Sequence, residues 1–373
     1  MSSIPDDLFF EIFSRLPSKS IARFRCVSKL WESMLHRPYF TELFLTRSSA
    51  RPRLLFAFQR RSESVDYLSF FSLPQPHDPY ENLSSTVVAA DYHMMFPMLG
   101  HICGYASGLV LSKRDQEEHV ICNPITGQFS ILPKVRKHMF SISLLGFDPI
   151  DKQFKVLFTT EGEFRILTLG TGEVSWRKVQ CPLTCFTNCS EGICINGVMY
   201  CLAKNLDETV EIFCFDVRSE NSKIINMETF YACPARLVNY KGKPCVIHWN
   251  RAKRTLELHT CVLDDVEKHE WSKHVYTLPY NCELVYHLYV YYRDVTVVGV
   301  TARGEIVLSQ EYTCYTDSPK SYVFYFNPES KILQQVKITG PDDFFGRSFE
   351  VVVDHVEDLN LNDAKLLKSS IYE

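Results

Sequence analysis

Five cysteines lie close together in the middle of the chain and are the first candidates for chemistry. Their spacing begins as C-x3-C-x3-C-x4-C. Structural zinc sites favour C-x2-C pairs, and no histidine occurs between His138 and His248. We therefore predict no metal site here, and reduced thiols on buried strands are the expected alternative. The five are Cys181, Cys185, Cys189, Cys194 and Cys201.

Three other patterns match catalytic motifs only in part. The run Gly104–Gly108 reads G-x-x-S-G rather than G-x-S-x-G, so Ser107 is not expected on the strand-to-helix turn of a nucleophile elbow. The turn Gly170-Thr-Gly172 lacks the Lys and Ser/Thr of a phosphate-binding loop. Acidic pairs such as Asp264-Asp265 are typical of turns, where Asp bonds to local backbone. We predict no catalytic residue, no metal and no cofactor.

Composition limits the class of protein. The 373 residues are 46% hydrophobic and 23% charged, with a formal net charge of −4. The chain is too apolar for a disordered protein, and its charge predicts neither nucleic acid nor an anionic membrane as a partner. Met1 is not followed by a basic and apolar leader, so we expect no secretory signal. The 14 cysteines are then expected to be reduced, in the cytoplasm, the nucleus or both.

The N-terminal region has the periodicity of short helices. Apolar residues recur every four positions over Asp6–Leu16, which predicts an amphipathic helix that Pro17 ends. Ser18 and Ser28 are expected to cap a second and a third helix, the third ending before Pro38. Three such helices bury little surface by themselves, so we expect them to pack against another surface. The first 50 residues hold seven Lys or Arg against five Asp or Glu, so the negative charge lies in the remainder.

From Arg53 onward the pattern changes to short strands separated by turns. Five turns of one kind are spaced by 47, 46, 48 and 63 residues. A period of ~40–50 residues with four strands per unit is typical of β-propeller blades, and we predict five to seven of them. The late strand Phe349–Asp354 is expected to pair with an early strand and close the ring. The turn residues are Asn123, Gly170, Asp216, Asp264 and Asn327.

The N-terminal motif resembles an F-box, although Ile4 stands where that family commonly has Leu. The resemblance implies that apolar side chains of the helices bind a Skp adaptor. The matching residues are Ile4-Pro5-Asp6-Asp7-Leu8, Ile12, Arg15-Leu16-Pro17, Lys19-Ser20, Arg23 to Lys29, and Trp31. The adaptor-binding residues that it implies are Pro5, Leu8, Ile12, Leu16, Pro17, Val27 and Trp31, the last also contributing to the core of the helical unit.

The β region resembles the F-box-associated domain of a large plant F-box family. The matching segments are Asn123–Gly127, Gly146–Pro149 with Lys155–Leu157, Leu167–Gly172, Ser175–Arg177 and Gly192–Gly197. The two resemblances imply a multidomain α plus all-β chain. Residues 1–48 would form a small three-helix F-box, and residues 53–373 a β-propeller-like F-box-associated domain.

This combination implies a non-catalytic substrate receptor of an SCF (Skp–cullin–F-box) ubiquitin ligase. It would dock on the Skp adaptor, reach the cullin and RING subunits through it, and hold an unknown target protein for ubiquitination. Two alternatives remain: a β domain that senses a glycan or small ligand, and a propeller scaffold outside the ligase. We expect target recognition on loops between blades, first between Asp264 and Asn327, an interval that contains the aromatic run Tyr286–Tyr292.

Overall fold

The structure is a computed structural model of helices followed by a ring of β-sheets. It describes residues 5–61, 66–75, 86–97, 100–113, 118–135, 142–160, 163–170, 175–180, 188–189, 192–204, 209–227, 235–252, 255–278, 295–310, 321–339 and 349–359.

Four helices open the described chain and form the unit that we call the helical domain. They are α1 (Asp6–Phe13), α2 (Ser18–Arg25), α3 (Lys29–Leu35) and α4 (Pro38–Ser49). The predicted α-then-β class is confirmed, but there is a fourth helix where three were expected. Pro38 begins α4 rather than only ending α3, because proline fits the first helical position, where its missing N–H is not needed. Ser28 caps α3 as expected, its Oγ accepting a hydrogen bond from the Trp31 N–H at 3.2 Å.

In the described residues six sheets form the blades of a β-propeller, within the predicted range of five to seven, and all but one of their strand pairs are antiparallel. Blade 1 contains β1 (Arg53–Arg61), β2 (Asp66–Pro74), β4 (Asp91–Pro97) and β26 (Phe349–His355). Blade 2 contains β5 (Ile102–Ala106), β6 (Leu109–Lys113), β7 (His119–Cys122) and β8 (Phe129–Ile131). Blade 3 contains β9 (Ile142–Asp148), β10 (Gln153–Thr160), β11 (Glu163–Thr168) and β12 (Arg177–Val179).

The remaining blades follow the same order along the chain. Blade 4 contains β13 (Asn188–Cys189), β14 (Ile193–Ile195), β15 (Val198–Lys204), β16 (Val210–Asp216) and β17 (Ser222–Asn226). Blade 5 contains β18 (Ala235–Tyr240), β19 (Lys243–Ala252), β20 (Thr255–Asp265) and β21 (Glu270–Thr277). Blade 6 contains β22 (Val295–Val300), β23 (Ile306–Gln310), β24 (Ser321–Asn327), β25 (Ile332–Thr339) and β3 (Thr86–Ala89).

Two strand exchanges close the ring. β26 pairs antiparallel with β1, placing Phe56 opposite Val351, so the predicted pairing of the late strand is confirmed. In the other direction, β3 leaves the first part of the chain and pairs parallel with β25 of blade 6. The first and last parts of the propeller sequence are therefore joined by backbone hydrogen bonds within both blades, and side chains pack between the two blades.

The regular spacing in the sequence has a local cause. Asn123 and Gly170 lie just after β7 and β11, whereas the other three turn residues lie in the last two residues of β16, β20 and β24. In every case the strand pairs with the next strand of the chain in the same blade. At Asn123 and Asn327 the side-chain oxygen accepts hydrogen bonds from the backbone N–H groups two and three residues later, at 2.9–3.3 Å. Asp265 does the same in blade 5: the Asp264-Asp265 pair ends β20, and Asp265 bonds to the backbone of the turn that follows.

Strand direction alternates within a blade, so the turns after the first and third strands lie at the same end of the ring. At this end Ser107-Gly108 joins β5 to β6 with positive φ at both residues, 43° and 86°. This is the geometry of a tight hairpin turn. The helical domain joins the ring at this same end, where the chain enters β1 and leaves β26.

The innermost strands of the blades face the centre of the propeller. Five of them, β5, β14, β18, β22 and β26, line a cavity of about 480 Å³. Among the described residues, no helix is long and apolar enough to cross a membrane.

Candidate functional site

Helix α1 is apolar on two opposite sides. Phe10 and Phe13 are buried on its inner side, whereas Leu8 and Ile12, one turn apart, are each 55% exposed. A helix that is apolar all round is normally covered on all sides. The outer side of α1 is therefore as apolar as a buried surface. No part of the described chain covers it.

Rings beneath this surface hold the helices together. The Trp31 indole of α3 lies 5.4 Å from Phe9, 5.3 Å from Phe13 and 5.2 Å from Phe24, measured between ring centroids. Phe9 also stacks on Phe13 at 4.1 Å. Because these rings join α1, α2 and α3, Trp31 contributes to the packing that orients Leu8 as well as presenting a half-buried edge.

The seven residues implied by the F-box resemblance differ in exposure. Val27 is 64% exposed between α2 and α3, and Pro5 and Pro17 are exposed immediately before α1 and α2. Leu16 and Trp31 are half-buried and pack on the helical core. The structure thus places Leu8, Ile12 and Val27 as exposed apolar side chains. Leu16 and Trp31 link that surface to the core.

Sequence reasoning missed two exposed apolar residues, Leu30 at 64% and Tyr39 at 61%. The sequence signal for the exposure of Leu30 is its position at the edge of the apolar stripe of α3. The stripe that packs on the core consists of Trp31, Met34 and Leu35. Of the ten large apolar side chains that are markedly exposed in the described parts of the chain, five lie in the helical domain. We call these five the exposed apolar set: Leu8, Ile12, Val27, Leu30 and Tyr39.

Ion pairs fix α1 against α4. The Glu11 carboxylate accepts a hydrogen bond from Arg15 Nη2 at 2.6 Å and another from Arg47 on α4. The hydrogen bond from Arg15 is the main cause that lowers the pKa of Glu11. Glu11 lies between Leu8 and Ile12 in sequence. Its contact with Arg47 therefore helps to hold this part of α1 against α4.

The chain after β26 returns to the helical domain. Glu357 is buried, and its Oε2 accepts a hydrogen bond from the Ser18 N–H at 3.2 Å, at the first residue of α2. The Glu357 N–H in turn donates to Ser48 Oγ on α4 at 2.9 Å. Leu359 is 4% exposed and packs in the same core as Phe10 and Phe40. We call residues 356–359 the clamp segment.

The clamp segment supplies the cap that Ser18 was expected to provide. A carboxylate at a helix N-terminus satisfies a free N–H and interacts favourably with the helix dipole. The Ser18 hydroxyl instead lies buried at the junction. Sequence alone could not pair these groups, because they are 339 residues apart.

We expect Leu359→Ala to lower the free energy of unfolding of the helical domain by about 2–5 kcal/mol, because a buried leucine would leave a cavity. Helical circular dichroism followed against temperature would measure this loss. Asp358→Asn is the neighbouring control, since Asp358 is only half-buried. Equal melting of both variants and the wild type would contradict a structural role for the clamp segment.

Two serine–histidine contacts have the short distance of a catalytic pair. Ser72 Oγ lies 2.7 Å from His93 Nε2, and Ser143 Oγ lies 2.7 Å from His119 Nε2. Ser72 is fully buried and also accepts a hydrogen bond from Arg53 Nε, and Ser143 is 7% exposed. A nucleophile must reach its substrate, so these contacts are cross-links between strands.

The other predicted candidates for chemistry fall into two groups. Ser107 lies in the β5–β6 hairpin, not on a strand-to-helix turn. Cys201 is buried, Cys194 is half-buried, and burial raises the pKa of the Cys194 thiol. Within the described ranges, no group of three or more His, Cys, Asp or Glu side chains is placed to hold a metal ion. Cys181, Cys185 and the aromatic run Tyr286–Tyr292 lie outside the described residues, as do the side chain of Cys189 and most of the lengthened interval.

Comparison with known proteins agrees with this architecture. Residues 1–43 match the F-box domain model, and residues 53–356 match the model described as the F-box associated beta propeller domain. The F-box protein At3g57590 of Arabidopsis thaliana is 47% identical over 100% of this chain and 94% of its own length. The putative F-box protein At5g42430 of the same plant is 48% identical, over 100% of this chain and 95% of its own.

Solved structures share much less. An oligogalacturonate lyase from Vibrio parahaemolyticus is 8% identical, with a TM-score of 0.39 over 76% of this chain and 84% of that one. TolB from Acinetobacter baumannii is also 8% identical, with a TM-score of 0.36 over 60% and 64% of the two chains. The family models and the full-length plant relatives lead to one conclusion: this chain belongs to the F-box proteins that carry an F-box associated β-propeller domain.

Proposed function

We propose that this protein is the substrate-recognition subunit of an SCF-type ubiquitin ligase. An F-box implies binding to a Skp-type adaptor in general, and F-box and F-box associated domains are typically non-catalytic. The proposal assigns this chain two tasks: the helical domain docks on the adaptor, and the propeller holds a target protein for ubiquitination. Such a receptor works in the cytoplasm, the nucleus or both.

The exposed apolar set carries the proposal. Leu8, Ile12 and Val27 were expected at the adaptor contact from their places in the motif, and all three expose more than half of their surface. Apolar side chains grouped in this way are characteristic of protein interfaces, where a few anchors supply most of the binding energy. Of the other two members of the set, Leu30 is a further exposed apolar side chain, whereas the Tyr39 ring lies 5.7 Å from that of Phe10, on the other side of α1.

The junction between the two domains supports a receptor that works by positioning. Ubiquitin transfer by a partner enzyme requires the target to be held near the donor, which is an effect of proximity. The clamp segment joins the helical domain to the end of β26 through buried hydrogen bonds and Leu359. A target bound on the propeller would therefore keep a fixed direction relative to the adaptor.

Reconstitution tests the proposal. The full chain is co-expressed with tagged plant Skp adaptors, and we expect a 1:1 complex in size-exclusion chromatography that then binds a cullin with its RING subunit. A folded, monodisperse chain that binds none of the adaptors would overturn the docking assignment. A complex with the adaptor that does not bind cullin would instead favour an F-box scaffold outside the ligase.

The central cavity supports a second candidate, in which a small ligand controls recruitment. It has a volume of about 480 Å³ and combines apolar walls with polar groups such as Glu350 and Arg236. Cavities of this size and composition are typical of small-molecule sites. A glycan or metabolite that raises the melting temperature of the full chain and changes its protein partners would support this candidate.

A further inference from the structure

A second cavity lies where the helical domain meets the propeller. Its volume is about 220 Å³, and Ser49, Ala50 and Pro52 form its helical-domain side. The opposite side consists of Gln75 after β2, the β22–β23 hairpin and Asp354 of β26. We call it the junction cavity. None of its lining residues belongs to the exposed apolar set, and it shares only Asp354 with the described lining of the central cavity.

Two acidic side chains line the junction cavity. Glu305 is 6% exposed, and its Oε2 accepts a hydrogen bond from Thr301 Oγ1 at 3.1 Å. Asp354 is half-buried and has a positive φ of 56° where β26 bulges against β1. Such a backbone conformation is costly for a residue other than glycine.

Gln75 contributes an oxygen that has no hydrogen-bond donor. Its Nε2 donates to Asp354 Oδ1 at 3.0 Å, and this orientation is required because a carboxylate can only accept. Its Oε1 is therefore the free end of the amide, and it is buried without a partner although the whole residue is only 8% exposed. A buried polar atom without a partner costs about 1–3 kcal/mol unless something binds it.

The electrostatic balance of the cavity is negative. Burial is the largest cause that raises the pKa of Glu305 and of Asp354, and the charge of Asp354 raises that of Glu305 further. The Arg303 guanidinium also lines the cavity and lowers both pKa values, so the lining carries two carboxyl groups against one cation. The C-terminal end of α4, which closes at Ser49, adds the partial negative charge of a helix dipole. The cavity therefore favours a positive charge.

We propose that the junction cavity binds a hard divalent cation of the Ca²⁺ type, through the carboxylates of Glu305 and Asp354 and the amide oxygen of Gln75. Carboxylate and amide oxygens with water completing the shell are ligands that Ca²⁺ accepts in flexible geometry, whereas Mg²⁺ requires a stricter octahedron. The cavity is large enough for the ion and several water molecules. Only two charged ligands predict weak binding, with Kd of about 10⁻⁴–10⁻³ M.

Bound there, the cation would connect elements that are far apart in sequence. Gln75 follows β2, and Glu305 immediately precedes β23. Asp354 lies two residues before Val356, where the clamp segment starts. Each ligand belongs to the propeller, and the helical domain closes the cavity through Ser49 and Ala50. The ion would thus stabilise the base on which the helical domain rests. This inference goes beyond the proposed function and does not depend on it.

Thermal unfolding of the full chain without adaptor tests the site. We expect 5 mM CaCl₂ to raise the melting temperature by about 2 °C relative to a NaCl control of equal ionic strength. The double variant Glu305→Gln, Asp354→Asn should lose this increment. Glu329→Gln removes an exposed carboxylate elsewhere on blade 6 and should keep it. Because the increment is measured within each variant, a change in basal stability does not obscure the result.

Terbium luminescence gives a second readout at the same site. Tyr325 is buried on β24 opposite Val307, two residues after Glu305, so it is the tyrosine expected to sensitise a bound Tb³⁺. We expect the tyrosine-sensitised signal of the double variant to be at least fivefold weaker than that of the wild type. Gln75→Leu should weaken Tb³⁺ binding at least threefold. A wild type without a Ca²⁺ increment, or a double variant with the full increment and signal, would overturn the proposal.

Discussion

Replacing Leu8 and Ile12 together with aspartate is expected to abolish binding of the Skp adaptor. Each side chain is 55% exposed and offers an apolar anchor on the outer side of α1. Loss of one anchor commonly costs about 2 kcal/mol, so loss of two weakens binding by about a thousandfold. Co-purification with the adaptor, followed by titration calorimetry, measures the effect.

The matched control for this double variant is Val275→Asp on β21. Val275 is also 55% exposed, but it lies on the propeller. Both variants should melt within about 1 °C of the wild type, because substitutions of exposed side chains seldom change stability by more than about 0.5 kcal/mol. Leu16 is a poorer choice for this test, since it packs on the helical core. A folded double variant that binds the adaptor as the wild type does would refute the assignment of α1.

The same double variant also helps to find the target. A receptor that cannot reach the ligase should retain its target rather than deliver it for degradation. Proteins that accumulate on the double variant and not on the wild type, in affinity capture from plant cells, are target candidates.

The second large effect is expected on acidification. Burial lowers the pKa of His93 to about 4 and that of His355 to about 3, whereas an unfolded chain holds both near 6.5. The unfolded state therefore binds more protons below pH 6.5, and stability is lost as pH falls toward the folded values. Between pH 6.5 and 4.5 we expect each ring to lower the free energy of unfolding by about 2 kcal/mol.

This window separates the histidines from most carboxylates. Groups with lowered pKa, such as Glu220, lose their contribution mainly at lower pH. Glu305 and Asp354 act in the opposite direction, because their raised pKa values favour the folded state as they bind protons. The histidine effect is larger because its pKa shifts are larger.

Urea unfolding at several pH values measures the dependence. His93→Gln should reduce the loss of stability between pH 6.5 and 4.5 by about 2 kcal/mol, whereas His36→Gln, at an exposed position on the helical domain, should leave it unchanged. His355 is a poorer site for substitution, because its Nδ1 lies 2.9 Å from the buried Tyr105 hydroxyl. Identical pH profiles for His93→Gln and the wild type would contradict this account.

Much of the propeller could be predicted because its signals are local. The side chains of Asn123, Asp265 and Asn327 bond to backbone two and three residues away, so the same chemistry recurs in blades 2, 5 and 6 and marks the period. The sequence predicts the number of blades only as a range, and the reason is physical. Blade 1 is assembled from both parts of the chain, and β3 leaves it to join blade 6, so no complete repeat marks it in the sequence.

The candidate site divides in the same way. The F-box motif named Leu8, Ile12 and Val27, which are exposed, and it implied that Trp31 contributes to the core, where its ring is half-buried among three aromatic rings. The cap on α2 and the contact of Leu359 depend on groups more than 300 residues away. Distances of that kind are set by closure of the ring and leave no periodic pattern in the sequence.

The clamp segment also sets an order of assembly during synthesis on the ribosome. The helices of the F-box leave the ribosome first, but Glu357 and Leu359, which complete their cap and core, are made more than 300 residues later. At ~5–20 residues per second this interval lasts about 15–60 s. The docking domain is therefore finished only after β26 has been made, so a nascent or truncated propeller does not present the ligase with a mature docking surface.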